Sequence, residues 1–202
     1  RYKELKQAYH LKLPDQWYLT LRNLSSNIID LEVLDGMPAL IPYGVDMISV
    51  KGMGQTIKAW MQVEDIKEKL PYYRVRLSTD DLANVSQIEG GNFSFACFDD
   101  GERLSPIVDP NVIFSYDTSL SRAVGFIENG IDGLLSSSQT TQNEFPCSFY
   151  GTKCKLGSQE EISIYHVIGQ VASKNILYSF MKGNKNKEYF NKKRKEVDLL
   201  TK

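Results

Sequence analysis

Along most of this chain apolar and polar positions alternate in short runs, which is the period of half-buried strands rather than of helices. Trp17-Tyr18-Leu19-Thr20-Leu21-Arg22 and Ile28-Ile29-Asp30-Leu31-Glu32-Val33-Leu34 read as two strands joined by an Asn/Ser-rich turn. Residues 72–77 and 92–98 follow the same pattern, the second ending at the turn Asp99-Asp100-Gly101. Residues 46–50, 111–116 and 145–150 are expected as further strands. Another is expected at 161–169, opened by Gln159-Glu160-Glu161.

Helical spacing is confined to a few places. Ile57, Trp60, Met61, Ile66 and Leu70 form one stripe with Glu64, Lys67, Glu68 and Lys69 opposite, predicting a helix over 55–70 that Pro71 stops. A second is predicted at 121–127, capped from Asp117-Thr118-Ser119 and closed by Asn129-Gly130. Residues 2–12 offer a short helix ahead of Pro14, and 82–85 a capped helical turn. Residues 136–144 read as an exposed loop and 152–158 as a mobile one. The apolar stretch 176–181 leads into the Lys-rich segment. The sum is an α+β fold: one antiparallel-strand-rich domain over 1–181 with a few helices, then a polar, Lys-rich C-terminal tail or helix over 182–202.

Composition narrows this further. Hydrophobic residues at 42% and charged residues at 24% of 202 are those of a globular chain long enough to bury a core unaided. Lys and Arg number 24 against 25 Asp and Glu, so any anionic partner must be met locally, and residues 182–195 are where nucleic acid would be met. No apolar run reaches the length of a membrane span. Three cysteines do not suit a disulfide scaffold; Cys147 and Cys154 pair only if the chain is exported, and free thiols are the expected state. With only His10 and His166 and no Cys-x-x-Cys, no zinc ligand set is expected. The chain opens on Arg1 rather than Met, consistent with a removed leader, pro-region or preceding domain.

Three marks stand in order: Tyr73-Arg74 on a strand, Asp117-Thr118-Ser119 between a strand and a helix, and Gln159-x-Glu161 opening another strand. This order resembles the arginine, Ser-Thr-Ser, glutamate signature of mono-ADP-ribosyltransferases of the clostridial toxin and phage type, over about residues 55–169. The resemblance implies an enzyme that takes NAD as substrate and transfers ADP-ribose to a protein or nucleic-acid acceptor. Glu161 would stabilise the charge that develops on the ribose as nicotinamide leaves. Gln159 would set the acceptor. Arg74, with Arg76 in reserve, would bind the pyrophosphate. Thr118 and Ser119 would hydrogen-bond the glutamate, and Phe149 and Tyr150 would help recognise the target. Two departures stand against it: Asp117 replaces the first serine, with Ser115 as a second alignment, and strands at 17–34 stand where the family has helices.

Each mark has a plainer reading. Arg74 and Arg76 alternate with Tyr73, Val75 and Leu77 as on the outer face of any half-buried strand. Asp117-Thr118-Ser119 serves equally as a helix cap. Cys97 and His166 are also weighed as a thiol-imidazole pair. The rival function is a non-catalytic, β-rich binding or assembly module, such as a viral or phage structural protein or a nucleic-acid-binding domain that uses its Lys-rich segment.

Overall fold

The structure, a computed structural model, describes residues 12–45, 47–76, 88–183 and 185–200. The elements are β1 (Lys12–Arg22), β2 (Ile29–Met37), α1 (Met47–Met53), a 3-10 turn (Gly54–Trp60), β3 (Met61–Glu64), β4 (Tyr72–Val75), β5 (Gly91–Cys97), β6 (Ser105–Ile107), α2 (Pro110–Phe114), α3 (Val124–Ser136), β7 (Ser148–Leu156), β8 (Glu161–Val171), α4 (Lys174–Met181) and α5 (Lys187–Leu200). The strands form two antiparallel sheets, one of order β1-β8-β5-β4-β3 and one of order β2-β7-β6. This is the α+β, strand-rich fold that the alternation predicts.

Strand alternation decides what each face meets. Phe93, Phe95 and Cys97 on β5 and Tyr165, Val167 and Val171 on β8 turn to one side, where Leu177 of α4 and Phe190 of α5 close the core. Intervening residues turn to the three-stranded sheet: Ala96 and Ile164 pack with Tyr150 and Leu104. The outer face of the smaller sheet is covered by Ile113 and Phe114 of α2 and Leu134 of α3, packed on Ile107. Helices, large sheet, small sheet and helices are thus stacked in that order.

The chain changes sheet twice at one end, from β1 to β2 and from β7 to β8, and Asn23 ties both crossings together. Its side chain is 2% exposed and donates to Asn27 O at 2.7 Å and to Leu156 O and Gly157 O, both at 2.9 Å. Its backbone exchanges hydrogen bonds with Glu160 O and Gln159 N. At the other end of β2, Gly36 (φ +154°) faces Phe149, and a Cβ there would lie 2.1 Å from Ser148 O. Only glycine lets these two strands approach so closely.

Several local expectations are corrected. The helix predicted over 55–70 is a 3-10 turn followed by β3 and a turn in which Asp65 and Lys69 take positive φ. Met61 and Val63 are buried while Gln62 and Glu64 are half-buried, so the two-residue period of a strand paired with β4 prevails over the helical stripe. Residues 47–53 are α1, not a strand. Residues 110–114 are a helix as well, with Asp109 as N-cap accepting from Asn111 N and Pro110 in the first turn. β7 runs through to Leu156, so 152–156 is ladder rather than mobile loop. The helix that begins at Val124 does break at Gly130 (φ 63°, ψ −177°), as Asn129-Gly130 predicts, and a second helical stretch follows directly to Ser136. Of the two forms expected for the Lys-rich segment, tail or helix, residues 187–200 take the helix, α5, which lies on the large sheet. The expectations at 2–11 and 78–87 fall outside the described residues.

Candidate functional site

Glu161 is the first residue of β8, exposed and opposite Arg22 of β1. It lines an open cleft of 280 Å³ with Phe98, Asp99, Asp100, Ile162 and Ser163. Ser163 Oγ lies 3.1 Å from Thr20 Oγ1, and Lys187 Nζ lies 3.2 Å from Asp99 Oδ2. Gln159 does not share a strand face with Glu161. It sits in the preceding turn at φ 62°, accepting from Arg22 at 3.2 Å and donating to Leu24 O. Three carboxylates in the cleft favour a cation and oppose a diphosphate. Among the described residues no group of three or more His, Cys, Asp or Glu is placed to hold a metal ion.

Arg74 is far from this cleft. Tyr73 pairs with Asn92, so Arg74 stands beside Gly91, which pairs with Val171, the last residue of β8. Glu161 is the first residue of that strand, ten residues away, about 33 Å at about 3.3 Å per residue. Arg74 is 3.6 Å from Glu64 and donates to Ile88 O at 3.3 Å, in a cluster where Lys174 also contacts Glu64 and Asp65. Arg76 donates to Ala59 O and to Asn143 Oδ1. Both arginines hold the ends of β3 and β4 to their surroundings.

Thr118 and Ser119 are exposed on the loop between α2 and α3, beyond the smaller sheet. Asp117 is the hub of that loop, accepting from Ser119 N at 3.0 Å, Ser121 N at 3.0 Å, Arg122 N at 2.6 Å and the hydroxyls of Ser119 and Ser121. The Ser119 hydroxyl, followed by the Arg122 N–H, holds its carboxyl well below the usual carboxylate range. The acid that departs from the Ser-Thr-Ser pattern therefore folds its own loop. The expectation that Arg74, Thr118 or Ser119, and Glu161 share one cleft is not met.

Other pairings resolve too. Cys97 and His166 project from opposite faces of the large sheet, Cys97 among the helices and His166 between the sheets, so they are no dyad. Burial pushes the Cys97 thiol up to about 12. Cys147 is buried under Ile107 and Cys154 lies seven residues along the same extended segment, about 23 Å away at about 3.3 Å per residue, too far for a disulfide. Tyr150, expected to recognise a target, is 2% exposed; its hydroxyl lies 2.6 Å from Ser94 Oγ, which also meets Tyr73 and Ser148. Phe149 packs edge-on against Phe114 at 5.9 Å.

Two groupings went unmarked in the sequence. His166, 1% exposed, is stacked on Trp17 at 4.8 Å, and its Nε2 lies 3.0 Å from Asp35 Oδ2, near enough for an ion pair but off the line of a straight hydrogen bond. Contact with the imidazole, against the opposing effect of burial, holds the Asp35 carboxyl below its ordinary value. No spacing signals this pairing, since Asp35 and His166 belong to different sheets.

The second grouping lies along α5. Phe190 stacks on Tyr165 at 4.6 Å, Tyr165 on Tyr18 at 6.0 Å, and the Arg194 guanidinium lies 4.6 Å from the centre of the Tyr18 ring. Phe190 and Arg194 are four apart and so share a helix face, which aligns the helix across β8 and β1. That spacing was legible as a hint; the partner rings were not. Lys192, Arg194 and Lys195 are exposed, Lys193 pairs with Glu196, and Lys185 is drawn in between the rings of Phe180 and Tyr189. No helix among the described residues is long and apolar enough to cross a membrane. No known family model matches this chain, and no curated protein matches it.

Proposed function

We propose that this chain is a binding module that takes nucleic acid on the outward face of α5. The observation that carries the reading is that the Lys-rich segment is a helix fixed to the sheet through Phe190 and Arg194, with Lys192 and Lys195 exposed away from that contact. Residues 182–202 hold eight Lys and Arg against three Asp and Glu, a net +5, which leaves −6 for the rest of a chain whose total is −1. A positive stripe on an otherwise acidic body gives the phosphate backbone one place to bind and repels it elsewhere.

The NAD-dependent transfer implied by the resemblance is the competing reading, and the separation of Arg74 from Glu161 gives it no cleft in which a dinucleotide would span both. One sample decides between them. Fluorescence anisotropy with a labelled oligonucleotide of mixed sequence at about 50 mM salt is expected to give saturable binding, which Lys192→Glu with Lys195→Glu abolishes. Calorimetry with NAD is expected to give no heat. NAD binding lost in Glu161→Gln, or oligonucleotide binding indifferent to the two lysines, would overturn the proposal.

A further inference from the structure

The column Phe190, Tyr165, Tyr18, Arg194 ends at the surface in a guanidinium. Tyr18 is 51% exposed, Arg194 is exposed, and among the described residues Arg194 has no carboxylate partner. The neighbouring lysines are flexible point charges, whereas this arginine's guanidinium lies over a ring that is itself stacked on Tyr165. Most exposed arginines lose side-chain freedom when they bind; here much of that ordering is done in the free protein.

We infer that Arg194, positioned by Tyr18 at the edge of the sheet, is the stacking platform for an unpaired nucleobase, and that the ligand of α5 is single-stranded nucleic acid, its phosphates met by Lys195 beside it and by Lys192 further round the helix. The inference rests on the binding reading given above and specifies its ligand. A planar cation backed by an aromatic column is the surface on which splayed bases of single strands stack, and a paired base has no face to offer it. Charge placement agrees. The acidic cleft of Asp99, Asp100 and Glu161 sits at the N-terminal end of α5, where Lys187 pairs with Asp99. Arg194 is seven residues further on, about 10 Å along the axis at about 1.5 Å per residue, and on the far side of that pair.

The test uses the full chain with a labelled single strand of about 20 nucleotides, the same sequence as a duplex, and phosphatidylserine vesicles. The single strand is expected to bind about tenfold more tightly than the duplex. Arg194→Lys, which keeps the charge and loses the planar fork, is expected to weaken single-strand binding about tenfold while leaving duplex binding and the salt dependence as they were. Tyr18→Leu should do the same without altering any charge, and a thermal melt checks that α5 stays docked. Binding of both forms alike, an Arg194→Lys variant that binds as the parent does, or equal retention on vesicles would overturn the inference. If both forms bind alike through Lys192 and Lys195, only the platform falls. If neither binds, the reading of α5 as a nucleic-acid face falls with it.

Discussion

Arg74 and Glu161 stand at opposite ends of the large sheet, one beside the last residue of β8 and the other at its first. They have no shared partner, so their substitutions are expected to act independently. Glu161→Gln, at an exposed strand end, should change stability by less than about 0.5 kcal/mol. Arg74→Ala removes one of the two cationic partners of Glu64, the other being Lys174, and the donor to Ile88 O in a half-buried cluster, and should cost about 1 to 2 kcal/mol. Urea unfolding of the two single variants and the double variant checks this, with additivity to within about 0.5 kcal/mol expected. A shared dinucleotide cleft predicts instead that NAD raises the midpoint of the parent and of neither variant.

Asp35 and His166 join the two sheets across their facing sides. The folded pKa of Asp35 lies below its ordinary value, so its contribution is present above about pH 4 and is lost as pH falls through the folded value. Asp35→Asn should therefore flatten the acid limb of a stability-against-pH curve below about pH 4. Trp17 fluorescence follows the event directly, since its ring is stacked on His166. An acid limb unchanged in Asp35→Asn would show that the pair contributes nothing.

Gly36→Ala should cost more than about 2 kcal/mol. Its Cβ would meet the backbone of Ser148 and Phe149 on the partner strand, and backbone cannot move aside as a flexible side chain would. Gly52→Ala, at a helical site with open space around it, is the control and should be stabilising by about 0.4 to 1 kcal/mol. Thermal melts of both variants would expose a mistaken β2–β7 register if they shifted alike.

Tyr150→Phe deletes the hydroxyl that meets Ser94 between the sheets. Ser94 retains Tyr73 and Ser148 as partners, so the expected loss is moderate, about 1 kcal/mol. Ser94→Val strips all three hydroxyls of a common partner and should cost clearly more. Denaturant midpoints at constant slope separate the two cases.

Strands were readable wherever one face is buried and the other wet: β2, β5 and β8 lie within a few residues of where alternation puts them. The failures have physical causes. Met61, Ile66 and Leu70 mimic a helical stripe because a short buried strand and the turn after it both supply apolar side chains, and only the pairing with β4 decides between them. Residues 111–114 look like a strand by their β-branched content, yet Asp109 as N-cap and Pro110 after it start a helix, and that signal outweighs the β-branched pair. For the candidate site, dispersed short motifs supplied residues without distances. Arg74 and Ser119 each have a local structural role, Glu161 is an exposed strand end, and nothing in their spacing could reveal that the fold holds them apart. The Lys-rich segment was visible as charge; that it docks through Phe190 on Tyr165, 25 positions earlier, and seats Arg194 on Tyr18, 176 positions earlier, depends on tertiary contacts that no local spacing shows.

The most direct measurement is the salt dependence of oligonucleotide affinity for the full chain, taken from about 50 to about 200 mM salt. The account predicts a linear fall of log affinity with log salt, its slope reduced by about one for each phosphate-contacting residue removed, Lys192→Ala and Lys195→Ala among them. An affinity that is absent at about 50 mM salt, or a slope that neither lysine changes, would contradict it.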